Sequence, residues 1–155
     1  MSYTDNDDGT ITDNNTGLMW EKLCDEDPPG ATCPAEYDVD TTYTWAAAFG
    51  KIAALNAGAG FAGYTDWRLP NVNELQSIVN YEKFGPAESS AFHAGCLASC
   101  SVLTCSCTRA SFHWASATEV LIPTDAWLVN FNNGGTGNLE KTFDILSVRA
   151  VRGGL

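Results

Sequence analysis

Six cysteines in two tight groups constrain this chain more than any other feature. Cys24 and Cys33 form the first group; Cys96, Cys100, Cys105 and Cys107 form the second. An even count at short spacing reads as the disulfide framework of an exported domain. A metal site is the rival reading, because His93 and His113 flank the second group. Zinc ribbons, however, use paired C-x₂-C knuckles, and the spacings here are x₃, x₄ and x₁. Disulfides are therefore expected, with Cys24–Cys33 as the local pair. The other four pair among themselves, as either Cys96–Cys105 with Cys100–Cys107 or Cys96–Cys107 with Cys100–Cys105.

Charge divides the chain. Its 155 residues carry a formal charge of −11. Residues 1–40 hold eleven acids and one base, Lys22, while residues 41–155 hold eight acids and seven bases. An acidic first quarter thus precedes a nearly neutral remainder. That balance excludes a nucleic-acid binder working by phosphate neutralisation and argues against docking on anionic lipid. No apolar run approaches the roughly 18 residues of a membrane span. Met1-Ser2-Tyr3-Thr4-Asp5 lacks the basic and apolar regions of a signal peptide. An extracellular or cell-surface location therefore expects a leader that is absent from this chain.

The pattern predicts one α+β domain over 1–155, with an acidic β-hairpin and loop over 1–40 and a body over 41–155. Thr10–Thr12 and Leu18–Trp20 read as strands around the turn residues Asp13–Gly17. A helix is expected from about Thr44 to Asn56, burying Trp45, Phe49, Ile52 and Ala53 on one stripe. A short extended piece at Asp66–Leu69 stops at Pro70. A second helix follows, with Asn71 and Glu74 as a capping box and Leu75, Ile78 and Val79 as its buried face. Residues 84–110 read as loop. Three strands close the chain: Ser111–Thr118, Asp125–Phe131 and Phe143–Val151, the last with a bulge near Ser147. Period-two alternation places Phe112 and Trp114 inside and His113 on an exposed polar face. At least four of the five tryptophans are expected in the core.

No catalytic motif stands out. There is no nucleophile elbow, P-loop, dinucleotide fingerprint or H-E-x-x-H. Cys105 and Cys107 have no basic neighbour to lower a thiol pKa. Asp5, Asp7 and Asp8 could hold a calcium ion. Setting Gly9 at loop position 6 leaves the first and last EF-hand ligands wrong, so any such site is of another kind.

The ordered stretches GTITDNNTGLMWEK (9–22), TYTWAAA (42–48), GYTDWRLPNVNELQSIV (63–79), FHWASAT (112–118), AWLVNF (126–131) and VRAVRGG (148–154) carry a resemblance. Together they resemble the DUF1566 family, also called the Legionella collagen-like protein C-terminal domain family; DWRLPxxxEL is the most specific motif. The resemblance implies a C-type-lectin-like fold, with two helices, an antiparallel sheet and long disulfide-stapled loops, on a bacterial exported or surface protein. Family members include adhesin domains that bind sulfated polysaccharide and variable proteins of diversity-generating retroelements. Trp67, Leu69, Leu75, Trp114, Trp127 and Val148 match family positions that look structural, and Arg68 is expected to pair with an acid. The calcium–sugar tripeptides of true C-type lectins are missing.

These readings lead to a non-enzymatic ligand-binding domain, adhesin-like or retroelement-diversified. Its ligand would be a protein or carbohydrate at a cell surface. The expected ligand surface comprises His113, Ser116, Thr118, Glu119 and Asp125 on the first two late strands. It continues through Asn130, Asn132, Asn133, Asn138 and Glu140. No cofactor is expected beyond calcium. One alternative is a structural subunit that forms a homo-oligomer or fibre. A second is an oxidase of the formylglycine-generating type, which shares the broad fold and uses paired cysteines with copper.

Overall fold

The computed structural model describes residues 1–154. Three short strands open the chain: β1 (Tyr3–Asp5), β2 (Thr10–Asp13) and β3 (Leu18–Glu21). Helices α1 (Trp45–Leu55) and α2 (Val72–Ser77) follow. Strands β4 (Phe112–Thr118), β5 (Asp125–Asn130), β6 (Gly135–Glu140) and β7 (Val151–Gly153) complete it. β1, β2, β3 and β7 pair in that order into one sheet; β4, β5 and β6 form a second. All these pairings are antiparallel. The architecture is α+β, as the sequence predicts.

Both helix starts follow from capping chemistry. Thr44 accepts a hydrogen bond from the Ala47 N–H at the head of α1. Asn71 and Glu74 close a reciprocal capping box on α2, satisfying two orphan backbone donors. Glu74 is also the partner of Arg68, through two bonds of 2.6 and 2.7 Å. The DWRLPxxxEL stretch is thus a self-contained unit. Its arginine reaches across Pro70 to the carboxylate that caps the next helix.

The acidic first quarter is built into the fold. β3 pairs with β7, so the two chain ends share one sheet. Trp20 of β3 is fully buried against Leu75, Ile78 and Phe92. A second apolar cluster joins α1 to Trp67, Trp114, Leu128 and Leu146. Trp20, Trp67 and Trp114 are buried, whereas Trp45 and Trp127 are half-buried at cluster edges. Phe49, expected inside, lies exposed on α1 beside Trp45.

The late sheet differs from expectation in two strands. Gly135–Glu140, where the sequence pattern predicts no strand, forms β6 and pairs along its whole length with β5. Its two glycines lower intrinsic strand preference, but cross-strand pairing decides the outcome. Phe143–Val151 is not a continuous strand. Phe143 and Ile145 are exposed, Leu146 and Ser147 make isolated bridges to Tyr43 and His113, and only Val151 onward is strand. The register irregularity falls between Trp114 and Thr118 of β4 rather than near Ser147.

All six cysteines are paired: Cys24–Cys33, Cys96–Cys107 and Cys100–Cys105. The nested arrangement, one of the two the sequence allows, closes the second group. Non-reducing digestion with electron-transfer fragmentation is expected to return the Cys96–Cys107 and Cys100–Cys105 links. Recovery of a Cys96–Cys105 link would reject this pairing.

Candidate functional site

The β4–β5–β6 sheet has a crowded end and an open end. In its register, Phe112 faces Asn130, and Asn130 faces Gly135. Leu128 lies between Trp114 and Gly137 in the same way. These residues share one face of the pleat. Toward Trp114 that face is covered by the α1 cluster. Toward Phe112 it is open, because β6 presents glycines where side chains would stand. A Cβ placed on Gly137 would come within 3.7 Å of Leu128 Cδ1. The missing side chains leave a groove of about 260 Å³.

Leu128 and Leu139 give this groove apolar surface, and the exposed ring of Phe112 forms a wall. Asn130 and Asn133 bring side-chain amides to it, and Thr136 and Asn138 also line it. Asn130 Oδ1 accepts from the Asn132 N–H at 2.9 Å, and Asn133 Oδ1 accepts from the Gly135 N–H at 3.0 Å. Both side chains are thereby oriented, each with its amide NH₂ as a remaining donor. No charged residue lines the groove. The arrangement suits a neutral ligand with one apolar face and several hydroxyl or carbonyl groups.

Three of the expected site residues, Asn130, Asn133 and Asn138, therefore meet in one place. Asn132 supports them through its bond to Asn130. Thr118, Asp125 and Glu140 lie at the opposite end of the sheet, beside Lys141 and Thr142. Ser116 lies between the two ends, its N–H donating to Pro70 O. Two expectations fail by burial. The Glu119 carboxylate is enclosed, accepting from the Leu121 and Ile122 N–H groups. His113 is fully buried, edge-on to Phe131 at 4.7 Å. The exposed-face reading assumed a half-buried strand, but β4 is covered on both faces, by the α1 cluster on one and the α2 cluster on the other. Burial, reinforced by Arg149, pushes the His113 pKa down to about 3 and keeps the ring neutral. Phe112 was placed inside by the same alternation and instead forms the groove wall. Its signal was the Gly-x-Gly of 135–137, which exposes whatever lies across the sheet.

The acidic segment does not gather Asp5, Asp7 and Asp8 around a common point. Asp5 pairs with Lys22 at 2.8 Å and accepts from the Asp7 N–H. Asp8 accepts from the Thr10 N–H and hydroxyl. Among the described residues, the ligand atoms that converge as a metal would require are the sulfurs of Cys100, Cys105 and Cys107, all of them in disulfides. A separate hollow of about 280 Å³ is lined by Lys83, Phe84, Pro86, Glu88 and His93. Glu88 is buried there, and neither carboxylate oxygen has a hydrogen-bond partner.

Fold and site together describe a disulfide-stapled α+β domain with an uncharged groove on an open sheet end. The chain belongs to the Lcl C-terminal domain family, which it matches over residues 9–152. No curated protein matches it. Among the described residues, no helix is long and apolar enough to cross a membrane.

Proposed function

We propose that this is a non-catalytic ligand-binding domain of an extracellular or cell-surface protein. Its groove takes a neutral, hydroxyl-rich ligand of the carbohydrate class. The observation that carries this reading is the lining: oriented asparagine amides around an exposed aromatic ring over apolar side chains. A sugar ring offers that combination, an apolar C–H face for Phe112 and hydroxyls for the amides. Three disulfides fit an oxidising compartment. The pairing of all six cysteines supports a binding domain over an oxidase that works through free paired thiols. Because the groove carries no cation, sulfated glycans are expected to bind more weakly than neutral ones.

A glycan array on the folded domain, with neutral and sulfated sets, tests the reading. Gly137→Val fills the groove at a non-strained strand position, so binding should fall at least tenfold while the thermal midpoint stays in place. Phe112→Ala should weaken it less. Binding undiminished in Gly137→Val would place the ligand elsewhere.

A further inference from the structure

The end of the β4–β5–β6 sheet opposite the groove carries an apolar surface that neither the core nor the groove uses. Val120, Leu121 and Ile122, in the turn from β4 to β5, are 82, 85 and 48 % exposed. Phe143 and Ile145, after β6, are 46 and 50 % exposed, and Phe49 of α1 is 41 % exposed. Lys141 binds the three elements together. Its N–H donates to Thr124 O, and its carbonyl accepts from the Trp45 N–H, both at 3.0 Å. Its ammonium donates to Pro123 O and Thr118 Oγ1, both at 2.8 Å. It also lies 4.5 Å from the centre of the Trp45 ring, which meets Phe49 edge-on. These side chains therefore belong to one neighbourhood. Single exposed apolar residues need no explanation, but a rimmed patch marks an interaction surface.

The patch is also pre-formed. The buried Glu119 carboxylate accepts from the Leu121 N–H at 2.7 Å and the Ile122 N–H at 2.6 Å. It fixes the turn that holds three aliphatic side chains out in water. Folding alone gains nothing from that exposure, whereas a contact surface gains by losing less entropy on binding.

Charge indicates what covers it. The ionisable groups beside the patch are Asp125, Glu140, Asp144 and Lys141, and the lysine is already committed to Thr118 and Pro123. The rim is therefore acidic. A second copy docking patch to patch would set these carboxylates against their own counterparts. Anionic lipid is disfavoured for the same reason. The geometry points to this surface as the docking site for a protein segment that presents aliphatic or aromatic side chains flanked by Lys or Arg. Asp125 and Asn130 stand at opposite ends of β5, roughly 17 Å apart at about 3.3 Å per residue. Such a partner leaves the groove open.

Two synthetic peptides of equal Leu and Phe content test this, one carrying lysines and the other glutamates. Each is titrated by fluorescence anisotropy against the wild-type domain and against the Leu121→Ser/Ile122→Ser variant. The lysine peptide should bind at least tenfold more tightly than the glutamate peptide. The double substitution should weaken it at least tenfold with no change in thermal midpoint. Because the acidic residues 1–40 attract any cation, the loss in the variant carries the proposal, not binding alone. Equal binding of the two peptides, or an indifferent variant, would overturn it. So would a wild-type dimer in sedimentation that the variant abolishes, which assigns the patch to a second copy. Binding to phosphatidylcholine vesicles that only the wild type shows would assign it to lipid, with the same consequence.

Discussion

Arg149→Met should lower the folding free energy by about 3–5 kcal/mol, read as a fall in the urea midpoint at unchanged slope. The guanidinium is buried where the chain's end crosses its beginning and its disulfide loop. It donates to Cys107 O, to Thr108 Oγ1 at 2.7 Å and to Glu21 O at 3.4 Å. Its flat face lies 5.2 Å from the centre of the Phe92 ring. Methionine fills much of the volume but offers no donors. The Cys107 carbonyl would lose a bond, and buried Glu88 would lose the cation that favours its charged form. Against the usual 5–15 kcal/mol total, such a loss is large. Arg149→Lys keeps the charge but not the fork, and should recover only part of the loss. Arg152→Met is the contrast. Arg152 bonds Asp66 at 2.7 Å near the surface, so its removal should cost about 1 kcal/mol or less. Equal losses at the two arginines would show that burial is not what makes Arg149 matter.

The two arginines also mark where sequence reading stops. The stretch VRAVRGG does not distinguish a core guanidinium from a surface one. That depends on β7 pairing with β3, a contact between residues more than 120 positions apart. What was legible was local. Thr44, Asn71 and Glu74 announce helix starts because capping is decided within three residues. Arg68 and Glu74 sit in one motif, yet their pairing required the turn through Pro70. Alternation failed at β4 because it assumes one wet face, and β4 has none over His113, Trp114 and Ala115.

The candidate site was half legible for a similar reason. Asn130, Asn133 and Asn138 could be picked out as polar residues in the late-strand region. The groove that unites them is made by what is missing, the side chains of Gly135 and Gly137. Absent side chains read as a turn in one dimension and as a cavity in three. Residues chosen for polarity alone, such as Glu119, turned out to be satisfying backbone N–H groups.

Glu88→Gln should change how stability depends on pH. Burial pushes the Glu88 carboxyl from its ordinary 4.5 up to about 7, against an opposing pull from Arg149. Between those values the folded state keeps a proton that the unfolded chain has released, so stability falls as pH rises. The contribution is full below pH 4.5 and is lost as pH climbs through 7. A shift of that size corresponds to about 3 kcal/mol. His113 acts in the opposite sense. Its folded pKa of about 3 lies below the ordinary 6.5, so the unfolded chain takes the proton first and stability is lost as pH falls from 6.5 toward 3. His93, whose pKa burial also lowers, acts in the same sense as His113, so from 4.5 to 6.5 the two histidines together outweigh Glu88 and wild-type stability should rise with pH. Above that window the loss of the Glu88 contribution pulls the wild type down relative to the variant, while buried Lys51, its pKa lowered by desolvation, acts in the opposite sense in both proteins. Glutamine reproduces the neutral acid without its proton. The variant should therefore keep the acid-side loss due to the histidines and show no decline on the alkaline side. Urea denaturation of both proteins from about pH 4 to about pH 8.5 isolates the Glu88 contribution as a difference. That difference should change by about 3 kcal/mol across the range in favour of the variant. A flat difference would mean that Glu88 titrates in the fold as it does in the open chain.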